Sequence, residues 1–356
     1  MTNPPQSVAP LPLISVVLPV FNAKRYISEA IRSILVQTFS RFEFIIVDDG
    51  STDGTGEILD RFRREDDRIV LVSRENRGLV ASLNEGIECA RGTWIARMDA
   101  DDIALPNRFE LQLAWIEQTG ADICGSWVRF FGAKDKHVLK HPQSDPAIRV
   151  GLMFGTMFAH PSILIRTELA KELRYDPRWE KCEDYDLWAR AAQLGCRMAN
   201  VPEVLLLYRQ HQNQISSHAF FEQQELTQKI RRRCGEAIFS RMRLNPQWAD
   251  EILKLRDPLW PRVDMNLVDQ AFTELLRCSR GEARAVVLDH LARLYCRAAA
   301  QCPNTLQRWA KLNAEFGSTF LLGVRVRLWL LSALRMRPNS SLFTQIKTIY
   351  FNLVRR

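Results

Sequence analysis

Residues 13–54 read LISVVLPVFNAKRYISEAIRSILVQTFSRFEFIIVDDGSTDG. Two apolar runs, 13–21 and 42–47, flank a segment in which Ile27, Ile31, Ile34 and Leu35 recur at helical spacing. Continuous runs rich in β-branched residues mark strands buried on both faces, and the recurrence marks a helix with one apolar side. The pattern then repeats. A helix with Ile58, Leu59 and Phe62 inward leads to a third strand over 69–73. A polar loop, Arg74-Glu75-Asn76-Arg77-Gly78, follows, then a helix over 79–90 and a fourth strand beginning near Thr93. Strands alternating with helices of this length predict an α/β fold, with a mostly parallel sheet flanked by helices.

In such sheets ligands bind beyond the carboxyl ends of the strands. Pro19 and Asn22 leave the first strand, Asp48 and Asp49 the second, and Asn76 the third. The fourth ends in Arg97-Met98-Asp99-Ala100-Asp101-Asp102, three carboxylates in four residues. Acids packed so densely repel one another. A hard divalent cation, Mg²⁺ or Mn²⁺, offsets that charge and leaves room for substrate phosphates. The alternative is a solvated acidic turn with Asp102 near the N-terminus of a helix begun by Pro106. No G-x-G-x-x-G follows the first strand and no G-x-x-x-x-G-K-[ST] occurs, so dinucleotide and P-loop fingerprints are absent.

Farther along, a helix is expected over 106–118, a strand over 121–131 and another helix around Leu187, Trp188, Ala191 and Leu194. Asp184 precedes Leu187 and Trp188 by three and four residues and so shares their inward face. Asp186 is expected to point outward and pair with Arg190.

Of eight cysteines none forms a C-x-x-C pair, so neither zinc site nor disulfide framework is indicated, and a reducing cytoplasm is expected. The first 12 residues lack a signal-peptide pattern and are expected to be disordered. No apolar run is long enough to span a membrane. Charge is unevenly spread: residues 1–217 carry a net −3 and residues 218–356 a net +11. After Glu315 there is no acid, while seven Lys or Arg remain. Amphipathic stretches at 219–240, 266–278 and 283–301 predict a helical region over 218–316. The basic tail, 317–356, interleaves Leu328, Trp329, Leu331, Phe343 and Phe351 with cations, which suits an anionic membrane surface better than nucleic acid.

The ordered set ISVVLPVFN, QTFSRFEFIIVDDGSTDGT, NRGLVASLNEGIECARGTWIARMDADDIALPNRFE, FAHPSILIR, CEDYDLWARAAQLG and VPEVLLLYRQH spans residues 13–217 and resembles family-2 glycosyltransferases of the GT-A fold, of the bacterial polysaccharide and lipopolysaccharide type. The resemblance implies an inverting, metal-dependent transfer from a nucleotide-sugar donor, a UDP-sugar in the first place, to a glycan or lipid-linked acceptor. It places Pro19 and Asp49, with Asp48 beside them, at the nucleotide base. It places Asp99 and Asp101 at ribose, metal and diphosphate, extended by Asp102, and makes Asp184 the general base beside Glu183. His160 falls on the acceptor side, or simply packs before Pro161. Arg97 contacts donor phosphate or pairs with the acids, and Asp53 caps a helix. Where many members carry an acid soon after Asn22, this chain reads Ala23-Lys24-Arg25-Tyr26.

The residue types suit that chemistry, because the departing diphosphate needs a Lewis acid and the attacking hydroxyl needs a base. A sugar nucleotidyltransferase would carry a Gly-rich basic loop after the first strand, which Phe21-Asn22-Ala23-Lys24 lacks. A non-catalytic binding module would not be expected to keep Asp49, Asp99, Asp101 and Asp184 together.

Overall fold

The computed structural model describes residues 12–132, 137–211, 220–256, 263–299, 302, 304–316 and 322–333. The expected disordered N-terminus, up to residue 11, and residues 317–321 and 334–356 of the tail, Phe343 and Phe351 among them, lie outside them. The chain forms two compact units, Met1–Ile148 with Thr156–Gln228, and Arg149–Gly155 with Lys229–Arg356. The expected boundary at 217 thus falls 11 residues early, and the second unit recruits a short piece from mid-chain.

The first unit is built on one sheet. Its strands are β1 (Ile14–Val20), β2 (Phe42–Asp48), β3 (Ile69–Ser73), β4 (Trp94–Arg97), β5 (Ile103–Ala104), β6 (Ile123–Phe131), β7 (Val138–Leu139), β8 (Leu164–Arg166) and β9 (Met198–Arg209). They are ordered β3-β2-β1-β4-β8-β6-β9-β5, with β7 paired to β6. β3, β2, β1 and β4 run parallel, as do β6 and β9. β8 enters antiparallel between β4 and β6, and β5 is antiparallel to β9. Helices α1 (Ile27–Leu35), α2 (Thr55–Glu65), α3 (Leu79–Cys89), α4 (Arg108–Thr119), α5 (Asp145–Leu152), α6 (Thr167–Leu173) and α7 (Glu183–Gln193) complete the pattern.

Every residue of β1 and β2 is buried, as their apolar runs require. Helix α3 lies unusually close to β1. A Cβ added at Gly86 would sit 2.4 Å from Val17 Cγ1, so only glycine permits that approach. Gly50, at φ +76°, draws the end of β2 against the next loop, where an added Cβ would lie 2.8 Å from Asn76 N.

β4 stops at Arg97. The Met98 N–H still donates to Val17 O at 3.0 Å, so β1 fixes the backbone immediately before Asp99. Helix α4 begins at Arg108 rather than Pro106, and β5 intervenes after Asp102. Asp102 therefore caps no helix, and the acidic-turn alternative fails.

The second unit is helical, with α8 (Phe220–Arg241) entering it and α9 (Gln247–Lys254), α10 (Met265–Cys278), α11 (Gly281–Ala298), α12 (Thr305–Phe316) and α13 (Leu322–Ala333) following. Asp264 caps α10, its carboxylate accepting from Asn266 N (2.9 Å) and Leu267 N (3.3 Å). Phe154, from the mid-chain piece, stacks on His290 at 4.2 Å. Leu328 and Leu331 of α13 have no exposed surface, whereas Trp329 is 58% exposed. This corrects the view of Leu328 and Leu331 as lipid-facing, because they belong to the helical core. No helix among the described residues is long and apolar enough to cross a membrane.

Candidate active site

The parallel half of the sheet brings its strand ends to one edge. At β2, the Asp49 N–H donates to Val20 O at 2.8 Å. Its carboxylate accepts from Arg77 N (2.8 Å) and Gly78 N (3.0 Å) and is ion-paired with Arg74. Arg74 also pairs with Glu85 and donates to Ser82 Oγ at 3.0 Å. Asp49 is thus the knot that ties the loop after β3, and with it the start of α3, to the end of β2. Asp48 is buried and accepts from Ser51 N at 3.1 Å.

Asn22, at φ +51°, clasps the same loop from β1. Its N–H donates to Ser51 Oγ (2.9 Å) and its Oδ1 accepts from Thr52 N (2.8 Å). Asp53 accepts from Thr55 N (3.0 Å) and Lys24 N (3.1 Å) and so anchors Ala23-Lys24 to the start of α2, but the N-cap of that helix is Gly54, at φ +90°, so the expected Asp53 cap is displaced by one residue. Pro19 is buried within β1, while Asn76 is exposed. Phe21 stands at this edge 52% exposed, an aromatic face that the sequence reading passed over.

After β4, oxygens of Asp99, Asp101 and Asp102 lie within 4.8 Å of one another. Asp99 pairs with Arg97. Asp101 Oδ2 meets His211 Nε2 at 2.9 Å, and Asp102 Oδ1 accepts from Arg209 N at 2.8 Å. Arg209 Nε donates to Asp101 O at 2.7 Å and its guanidinium lies over the Tyr26 and Phe131 rings. Tyr26 in turn stacks on His211. Asp102 is 1% exposed, and its Oδ2 has no partner among the described residues. Burial, then the charges of Asp99 and Asp101, hold the Asp102 carboxyl well above the usual carboxylate range. Burial also raises Asp99, against the pull of Arg97. Clustered oxygen donors, one buried and orphaned, fit a hard divalent cation. Tyr26, Arg209 and His211 were missed as site residues. His211 lies 110 positions from Asp101, and no local pattern marks a contact at that range.

The opposite wall is the first turn of α7. Glu183 is buried, and Oε2 has no partner among the described residues. Burial, with the Asp184 charge beside it, pushes its carboxyl up to about 7. Asp184 is half-buried and also raised, mainly by burial. His160 Nε2 lies 2.7 Å from Tyr175 OH and its ring packs edge-on to Trp188, so its position is fixed by packing. Burial, then Arg97, keeps it far below its ordinary pKa and hence neutral. Asn84 brackets Tyr175 through two 2.8 Å bonds to its backbone.

One expectation fails here. Asp186 does not face outward. It has no exposed surface and accepts from Arg190 Nε at 2.7 Å, while Arg190 reaches on to Arg174 O at 2.7 Å. Helix α7 is buried on almost every side from Tyr185 to Ala189, so it has no solvent face there for Asp186 to occupy.

The model of glycosyl transferase family 2 matches residues 15–174. A glycosyltransferase of Haemophilus influenzae is 35% identical over 235 residues, 62% of this chain and 72% of that one. The O-antigen biosynthesis glycosyltransferase WbnJ of Escherichia coli is 32% identical over 219 residues, 60% of this chain and 86% of its own. Among solved structures, S. aureus TarS 1–349 in complex with UDP-GlcNAc superposes with a TM-score of 0.55 over 90% of this chain and 91% of that one. At 17% identity that likeness speaks for the fold, a GT-A sheet. The chain is a glycosyltransferase and belongs to family 2.

Proposed function

We propose that this enzyme moves a sugar from a nucleotide-sugar donor, a UDP-sugar in the first place, to a hydroxyl of a glycan or lipid-linked acceptor, with inversion, in cell-surface polysaccharide synthesis. The observation that carries this is the oxygen cluster Asp99–Asp101–Asp102, set just beyond β4 on the edge where Asp48 and Asp49 end β2. Asp99 and Asp101 would hold Mg²⁺ or Mn²⁺, which supplies Lewis-acid neutralisation of charge on the departing diphosphate. Phe21 offers a face to the base, and Pro19, Asn22, Asp48, Asp49 and Asn76 shape the pocket around it. Arg97 is too buried to serve as a mobile phosphate ligand and acts through Asp99.

Asp184 takes the proton from the acceptor hydroxyl as it attacks the anomeric carbon. Its raised pKa makes it a stronger base than an exposed aspartate. Glu183 and His160 shape the acceptor side. One base and one displacement invert the anomeric centre. Cations without acids after Glu315, together with exposed Trp329, support docking on the anionic cytoplasmic face of a membrane.

The test is a panel of sugar nucleotides, measured by released nucleotide with Mn²⁺, Mg²⁺ or EDTA. A UDP-sugar is expected to be turned over only with metal. Full turnover in EDTA ends the metal assignment, and no release from any donor ends the whole reading.

A further inference from the structure

Helix α6 ends at Leu173, and the turn after it is entered and left through backbone geometry that residues with a side chain avoid. Arg174 sits at φ +45°, ψ 155°, and Lys181 at φ +75°. Such conformations cost about 1–3 kcal/mol each, persist only where the surroundings over-determine them, and gather at ligand sites.

The surroundings here do over-determine the turn. Buried Asp186 accepts from Arg190 Nε at 2.7 Å, and the same guanidinium donates to Leu173 O and to Arg174 O, the latter at 2.7 Å. Arg174 pairs with Glu88 of α3. Asn84 of α3 bonds both the N–H and the carbonyl of Tyr175 at 2.8 Å. At the far end, Gln223 Nε2 donates to Lys181 O at 3.0 Å.

Between this turn and α3 the fold leaves a groove of about 430 Å³, a size typical of small-ligand clefts. Arg77, Gly78, Val80 and Ala81 line one side, Pro177 and Glu180 the other. Gly78 is part of its shape. At φ +88° a side chain there would be strained, and an added Cβ would stand 4.0 Å from Glu180 Oε1. Arg77 and Glu180 are exposed, and neither forms an ion pair among the described residues.

The charges say what would fit. The groove's other charged groups, Arg174 and Glu85, are already paired with Glu88 and Arg74. One free guanidinium and one free carboxylate remain, so a diphosphate gains no net attraction and meets Glu180. An acyl chain finds only Val80, Ala81 and Pro177. Hydroxyl groups both donate and accept, which suits an arginine on one wall and a glutamate on the other. The small apolar residues suit the C–H face of a sugar ring.

The groove also borders both parts of the site. Arg77 N and Gly78 N donate to Asp49, Tyr175 in the turn meets His160, and Glu180 lies four residues before Asp184.

We propose that this groove holds the acceptor as a neutral glycan, its rings between Arg77 and Glu180 and its terminal hydroxyl at Asp184. This rests on the reading of Asp184 as the general base and names the substrate class on that side. The part of the acceptor that the protein reads is then sugar and not a lipid diphosphate.

The experiment mixes full-length protein with the methyl glycosides of glucose, galactose, N-acetylglucosamine and rhamnose, or with farnesyl diphosphate, and reads binding by saturation-transfer difference NMR. Wild type is expected to bind one or more of the glycosides. Ala81→Trp fills the groove from a half-buried position on α3 and should abolish that signal. Glu180→Ala, at an exposed position, should melt like wild type and bind about tenfold more weakly. It decides the matter should Ala81→Trp not fold. No binding of any glycoside, undiminished binding by the folded variants, or farnesyl diphosphate as the one probe that the groove substitutions release, overturns the proposal. Asp184→Asn should bind the glycoside like wild type. If Asp184→Asn also transfers sugar normally while the groove variants lose the glycoside, the base assignment ends and the groove stands.

Discussion

The two ends of the catalytic edge are finished to different degrees. Around β2, the Asp49 carboxylate has three donors, Arg74 has four acceptors and Asn22 bonds through both backbone and side chain. Around β4 and α7, by contrast, buried polar atoms are left over: Asp102 Oδ2, Glu183 Oε2, and Arg97 Nε and Nη1. Each such atom costs about 1–3 kcal/mol when nothing meets it. On the proposed function, the finished end would serve as a preformed scaffold for the donor's base. At the unfinished end, on the same proposal, the orphaned Asp102 and Glu183 oxygens would meet charge arriving with metal and acceptor.

Substitutions separate the two ends. The largest effect is expected at Asp101, where Asp101→Ala should cost about 10⁴-fold or more in turnover, because several kcal/mol of charge stabilisation go with the metal. Its melting temperature should hardly change, since Asp101 is partly exposed; a variant that turns over normally would erase the contrast. Next comes Asp184→Asn, with kcat lowered by about 10²–10⁴ and donor affinity nearly intact by calorimetry. If it transfers normally, Glu183→Gln becomes the decisive variant.

At the finished end the balance reverses. Asp49→Ala removes one of the two carboxylates paired with Arg74, strands the Arg77 and Gly78 backbone donors and should cost about 3 kcal/mol in urea unfolding, with kcat moved far less than by Asp184→Asn. Asp186→Asn, buried against Arg190, should likewise destabilise, by about 1–3 kcal/mol, and is no silent control.

Acidity sharpens the comparison. Glu183 stands raised to about 7 from an ordinary 4.5, so the folded state holds its proton more tightly than the unfolded chain does. Stability from this group is full below about 4.5 and is lost as pH climbs through about 7. Over the same interval kcat/KM should rise, because the base pair must ionise. Melting curves and initial rates across pH 5–8 test both signs, and parallel trends would refute the assignment. The smallest effect lies outside both ends: Trp329→Ala should weaken flotation with anionic vesicles about fivefold, and unchanged flotation would remove Trp329 from the proposed membrane contact.

What could be read from sequence follows from these differences. β1, β2 and β4 announced themselves because strands buried on both faces are uninterrupted apolar runs, and β3, only partly buried, still carries such a run. β5, β7 and β8, of two or three residues, are too short to carry a period, so the antiparallel entry of β8 was invisible. The acids of the unfinished end stood out by density alone. Asp186 was misplaced because a helix with one solvent face was assumed where none exists. His211 passed unnoticed, since a lone basic residue carries no pattern until the fold sets an acid beside it.

The mid-chain piece Arg149–Gly155 has a consequence for how this protein is made. Phe154 leaves the ribosome 136 residues ahead of His290, the ring it stacks on, and Arg231, which donates to Phe154 O at 3.2 Å, also follows much later. Until those helices emerge, Val150, Leu152, Met153 and Phe154 have no home in the second unit, so a nascent or truncated chain ending at 228 displays a sticky apolar segment. Chaperone demand during synthesis, and aggregation of a fragment ending at 228, are therefore the expected consequences of a boundary that the polypeptide crosses more than once.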